Sequence, residues 1–234
     1  MTQTPEQIRP IPRVEEKARA RFFRPWMIPL GLLVAAFMLM YLPRYLTGDP
    51  AQSLIPINER FRLHYPLLVG HIATGTIAIV TVCLQVWAWL RERHPRAHRI
   101  SGRLYIFAGI GPSALLSLVI VPFGILTGLS AIGSSLWAVL TLGVTAAGYV
   151  TARRRQWAQH RKYMLYSFAL ATSILTGRLF FTGAWYAVAP MFPNDEMTVL
   201  AIAQFAGFWL NWLVNIALVV WWLRRSAKKV VLPG

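Results

Sequence analysis

Residues 65–90 read YPLLVGHIATGTIAIVTVCLQVWAWL, and residues 91–99 continue as RERHPRAHR. The first stretch runs 26 positions without a Lys, Arg, Asp or Glu. That exceeds the roughly 20 apolar residues a helix needs to cross a hydrocarbon core about 30 Å thick. The second stretch is a basic stop at its end. Working outward, similar apolar stretches occupy 26–45, 104–128, 132–152, 163–189 and 197–223. The 234-residue chain is 56% hydrophobic and 14% charged, whereas a soluble domain is about 25% charged. The pattern predicts an all-α, polytopic membrane helix bundle with six transmembrane helices. Strands of alternating polarity, which a membrane barrel requires, are absent, so each segment has to satisfy its backbone groups internally as a helix. The first apolar stretch follows 25 polar residues and lacks a small-residue cleavage site, so it is expected to be retained rather than removed as a signal peptide.

The net charge of +16 raises the question of nucleic acid, and the distribution of the cations answers it. Six precede residue 26, five lie between 91 and 103, five between 153 and 162, and four between 224 and 229. On a six-helix map all of these fall on one side, against Arg44, Arg60 and Arg62 on the other, with Arg178 inside the fifth helix. The positive-inside rule then predicts that both termini are cytoplasmic (N-in/C-in) in a bacterial inner membrane. The partners for this charge are anionic lipid head groups rather than nucleic acid.

The expected organisation is a basic cytoplasmic arm at 1–25, a transmembrane domain at 26–223 and a basic tail at 224–234. The longest external connection, 46–64, carries Gly48, Asp49, Pro50 and Pro56 and is the expected lid over an external site. Pro112 and Pro122 fall inside the third helix, where each removes a backbone donor. Small residues in the fourth helix, among them Gly133, Gly143 and Gly148, are expected to admit a neighbouring backbone. No internal repeat supports an inverted-repeat transporter, and the single cysteine, Cys83, excludes an intramolecular disulfide.

All eight carboxylates lie outside the predicted helix cores, so a carboxylate proton relay or cation pathway has no residues to run on. Arg178 therefore has no membrane-embedded acid to pair with. Its expected partners are helix-end carbonyls, an external acid reaching inward, or an anionic ligand such as a propionate or lipid phosphate. His71, Thr74 and Gln204 are predicted at comparable external-side depth, where they would line one pocket with Arg178. Among the five histidines, His98 and His160 fall at one cytoplasmic-side level, while His71 is deep and lacks a histidine partner unless His64 folds in. One haem is then conceivable, with Met38 or Met40 as a sixth ligand, and a two-haem wire is not. Pro95 and the surrounding arginines disfavour a metal site at His94 and His98. The Trp and Tyr residues near helix ends read as an interfacial belt.

His71-Ile-Ala-Thr-Gly75, Gln85, His98-Arg99-Ile-Ser-Gly102-Arg103 with Tyr105, His160-Arg161-Lys162-Tyr163-Met164 with Ser167, and Arg178 together resemble the domain-of-unknown-function 2306 family of bacterial membrane proteins. The resemblance implies a four-helix core at about 65–189, with the first and last helices as additions. It marks His71, Gln85, His98, Arg103, His160 and Arg178 as candidate cofactor-binding positions, with the three histidines as metal ligands only if haem iron is bound. Two functions follow as expectations. One is a redox or cofactor-binding protein holding a single haem b or a quinone-like molecule. The other is a non-catalytic subunit or assembly factor docking onto other membrane-protein subunits.

Overall fold

The computed structural model describes residues 26–124, 126 and 128–228; the predicted arm at 1–25 and the end of the tail lie outside the described residues. The described residues form helices joined by short turns, with no strand. The main ones are α1 (Met27–Tyr41), α2 (His64–Val86), α3 (Pro95–Phe123), α4 (Gly128–Arg153), α5 (Trp157–Val188) and α6 (Glu196–Ser226), with a short helix at Ala88–Arg93 between α2 and α3. Five of them, α2 to α6, are long and apolar enough to cross a membrane. The first is shorter than predicted. Its 15 residues rise only about 22 Å, because Pro43 cannot donate to the preceding turn and the chain restarts as a single turn at Pro43–Leu46.

Other boundaries also move. The third helix starts at Pro95 rather than near 104, since a proline in a first turn forfeits a donor that has no partner anyway. The fifth starts at Trp157 rather than near 163. The helical register also runs on to Lys228, so the tail begins helical. Between α4 and α5 the chain reverses through Arg155, held at φ 59°, with Arg155 N–H donating to Ala152 O (3.0 Å) and Gln156 N–H to Thr151 O (2.9 Å). Glycine is the usual residue at this left-handed position. At the start of α6 the Asp195 carboxylate accepts from Thr198 N–H (3.0 Å) and Oγ1 (2.6 Å), bonds that hold its pKa below the ordinary carboxylate value.

Two helices widen locally into π turns, at Tyr105–Ile110 in α3 and Ala206–Leu210 in α6. The first comes just before Pro112, where a regular ladder would lose its donor; a π insertion is one of the recognised accommodations. Tyr105, fully buried, shares its hydroxyl with Ser167 Oγ (2.7 Å), which also meets Thr145 Oγ1 (2.7 Å), tying α3, α4 and α5 together. Around it the core gathers Ala78, Val82, Ile110, Trp137, Leu170 and Trp212. A second cluster seats α1 through Val34 on Ile79 of α2 and Leu175 of α5.

Backbones approach closely where Gly109 lies on α2, since a Cβ there would stand 2.9 Å from Ala78 N and Cα. Gly177 and Gly207 bring α5 and α6 together in the same way. The glycines of α4 do something else. Gly133 makes room for the Trp209 indole and Gly148 for the Met164 sulfur, while a Cβ at Gly143 meets nothing within 4 Å. The small residues at 133 and 148 thus receive side chains of this same chain. Gly109→Ala is expected to destabilise the protein by about 1–3 kcal/mol through overpacking. Gly143→Ala is expected to be neutral or stabilising by up to about 1 kcal/mol. Thermal unfolding of both variants in mild detergent checks the pair, and equal midpoints would contradict the close approach.

Candidate functional site

At the end of the bundle away from the arginine-rich turns, the helices enclose a cavity of about 420 Å³, within the roughly 300–1,000 Å³ of small-molecule sites. Its wall is largely aromatic and aliphatic: Phe37, Met38 and Tyr41 from α1, Trp137 from α4, Phe181 from α5, Phe208 and Trp212 from α6. Into this wall are set His64 and His71 of α2, Arg178 of α5 and Gln204 of α6. His71 lies seven residues into α2, Gln204 eight into α6, and Arg178 ten before the end of α5. At 1.5 Å per residue these are depths of about 10, 12 and 15 Å. The predicted layer therefore assembles, except that Thr74 is not in the wall; its hydroxyl bonds back to Gly70 O (2.8 Å) and His71 O (3.1 Å) on its own helix.

The hydrogen bonds fix which edge of each imidazole is chemically available. His71 Nδ1 donates to the carbonyl of Ser113 (2.9 Å), so a neutral ring presents its Nε2 lone pair. Ser113 is fully buried, and its Oγ lies 3.2 Å from the same nitrogen, which holds the ring in place. His64 has the opposite tautomer. Its Nδ1 accepts from Asn58 N–H (2.8 Å), which leaves the proton on Nε2, and that buried Nε2 has no hydrogen-bond partner. One imidazole is thus an acceptor and the other a donor. Arg178 remains exposed, with its guanidinium 5.4 Å above the Tyr41 ring, a cation–π distance. Among the described residues no carboxylate forms an ion pair with it.

The connection between α1 and α2 covers the cavity as expected of a lid. Leu54 and Ile55 enter the wall. Leu54 N–H donates to Tyr45 Oη (3.3 Å), the Asn58 amide donates to Phe123 O (3.1 Å), and the Phe61 and Phe123 rings stack with centroids 4.0 Å apart. His64 belongs to this latch and to the wall at once.

Two asparagines of α6 went unread in the sequence. Asn211, part of the cavity wall, donates to Ser173 O (3.1 Å), and Asn215 donates to Ala169 O and Thr176 Oγ1 (both 3.1 Å). Their spacing of four places both on one helix face, which is the signal that a polar seam against α5 was present.

The other candidate residues lie at the basic end. Gln85 donates to Ser101 Oγ (2.6 Å) and His98 O (3.0 Å), clamping α2 to α3. His160 Nδ1 donates to Gly148 O (2.8 Å), clamping α5 to α4. His98 and His160 are within electrostatic reach of one another, and His98 Nδ1 is buried without a partner. Arg103 does not join them. Five residues on from His98, it is rotated by about 140°, and it stays exposed beside Ile100, Leu104 and Phe107. His94 packs its ring against Trp89, with centroids 4.6 Å apart. Among the described residues no group of three or more His, Cys, Asp or Glu side chains gathers to hold a metal ion.

Five apolar spans around a polar-studded cavity define a multi-pass helical membrane protein. Residues 68–223, about two thirds of the chain, match the family described as "Predicted membrane protein (DUF2306)". The chain belongs to this family. The match runs through α6, which the sequence motifs had left as an addition, and of the six helices only α1 lies wholly outside it. No curated protein and no solved structure matches the chain.

The latch yields a prediction. Phe61→Ala removes the ring stacked on Phe123 and is expected to speed cleavage within 46–63 several-fold in limited proteolysis, while the exposed turn at 153–156 is cut at its wild-type rate.

Proposed function

We propose that the protein is a ligand- or cofactor-binding protein of the bacterial cytoplasmic membrane, holding a lipophilic molecule in the cavity between α1, α2, α5 and α6. The observation that carries this reading is the embedding of Arg178, His64, His71 and Gln204 in one otherwise apolar wall, since such groups are costly in a membrane and mark functional sites. A quinone-like molecule would place its ring against the aromatic wall and its oxygens on these groups. A second observation supports one haem b. His71 donates Nδ1–H to a backbone carbonyl, as metal-bound imidazoles do, so its Nε2 would be the nitrogen to hold the iron, and Met38 lies in the same wall. Haem would supply one-electron chemistry, while the chain's own residues bind and orient it. The rival function, a non-catalytic subunit or assembly factor docking onto other membrane proteins, has exposed apolar residues of α1 such as Leu32, Leu39 and Met40 to rest on, and lipid tails suit these equally.

In the membrane the end carrying Arg91 to Arg103, Arg153 to Lys162 and Arg224 to Arg225 faces the cytoplasm, by the positive-inside rule. The cavity and its lid then face outward. With α1 and the turn Pro43–Leu46 counted as a sixth crossing, both termini are cytoplasmic.

Purified protein is expected to show either a Soret band or a solvent-extractable quinone-like or lipid-like molecule, at about one per chain. Absence of all of these sinks the reading. Arg178→Leu is expected to lower retention of that molecule at least tenfold, against no more than twofold for Arg93→Leu at the basic end; equal retention would show that the embedded cation plays no part. A reporter fused after residue 52 is expected to be active outside the cytoplasm, and one fused after residue 155 inside it.

A further inference from the structure

We infer that the occupant of the cavity is an anionic amphiphile, with an apolar body against the aromatic wall and a carboxylate or phosphate oxygen on Arg178. This rests on the cavity being a ligand site and narrows what it takes.

A charge and hydrogen-bond census carries the inference. Arg178 brings a permanent positive charge and five N–H donors. Among the described residues its guanidinium stands over the Tyr41 ring, which offers no formal charge. The described carboxylates are engaged or placed elsewhere. Asp49 caps the turn at Pro50–Gln52, Asp195 caps α6, Glu92 lies at the basic end, Glu59 is exposed in the connection before α2, and Glu196 is exposed in the first turn of α6. His64, a wall residue, carries a second donor, Nε2–H, which is buried and without a partner. Wall hydroxyls, those of Ser117 and Ser134 included, can accept from these donors but bring no charge; the protons of two are committed, Ser173 donating to Ala169 O (3.0 Å) and Thr76 to Ile72 O (2.8 Å). The Asn211 amide is likewise spent on Ser173 O and Trp212 N–H. His71 Nε2 and the Gln204 carbonyl add neutral acceptors, so the wall offers both hydrogen-bond senses but, among the described residues, no negative charge to answer Arg178, and the complement it lacks is an acceptor with negative charge. A neutral quinone supplies acceptors alone. Fatty-acid-like carboxylates, lipid phosphates and the propionates of a haem supply both.

The test uses the full-length protein in phosphatidylcholine nanodiscs with two fluorescent probes of one chain, cis-parinaric acid and its methyl ester. The wild type is expected to bind the acid at least tenfold more tightly than the ester, the order expected of a charge-assisted contact. Arg178→Gln is expected to bring the acid down to the ester's affinity and leave the ester unchanged, and Arg178→Lys to restore at least a threefold preference. Acetate and inorganic phosphate at 10 mM are expected not to displace the acid. Equal binding of acid and ester, or a preference that survives Arg178→Gln, overturns the anionic head while leaving the cavity a ligand site. Displacement by phosphate overturns the amphiphile in favour of a small free anion. Binding of neither probe overturns the cavity as a site for lipophiles, and this inference with it.

Discussion

A polar group inside a bilayer has no water to return to, so it must find a partner in its own chain, in a neighbouring helix or in a bound molecule. Nearly every specific contact in this bundle answers to that constraint. Thr74, Thr76 and Thr81 turn their hydroxyls back onto the α2 carbonyls. Tyr105, Ser167 and Thr145 close a hydroxyl cluster between three helices. Trp137 Nε1–H reaches Leu170 O (2.9 Å), and the asparagines of α6 seat on α5. Among the described residues a few groups escape the rule: His98 Nδ1 near the basic end, the Tyr65 hydroxyl, and, on one cavity wall, the donor nitrogen of His64 and the guanidinium of Arg178, which no carboxylate answers.

The architecture was legible in the sequence because hydrophobic length and charge asymmetry are one-dimensional signals. Apolar runs bounded by arginine clusters give the order of the helices and five of the predicted crossings without reference to packing, while the first run, broken at Pro43, yields a helix of only 15 residues. Depth is nearly as readable, since a constant rise per residue converts position into height, and that is why His71, Gln204 and Arg178 fall at one level as expected. Azimuth is harder. Thr74 sits at the expected height on the wrong face, because facing depends on how neighbouring helices rotate against one another. The π turns in α3 and α6 shift that phase further, and the prolines hinted at only one of them.

Side-chain commitment was less legible still. Gln85 and His160 look in the sequence like functional polar groups, yet each spends its hydrogen bonds clamping a helix near a basic turn. Asn211 and Asn215 carry neither charge nor a titrating group to set them apart in a sequence, though they form a polar seam between α5 and α6. The glycines of α4 misled in the other direction. A stripe of small residues suggests a surface for another helix, and here two of its members, Gly133 and Gly148, are sockets for Trp209 and Met164.

The short first helix has a consequence of its own. It supplies Phe37, Met38 and Tyr41 to the cavity, yet it rests on the bundle chiefly through one small cluster around Val34 and lies outside the region matched to the family. It is a fence added to a yard that the other helices already define on their remaining sides. The sideways boundary of the chamber therefore hangs on the packing of a single small apolar cluster, whereas its other walls are braced by helices packed against one another along their length.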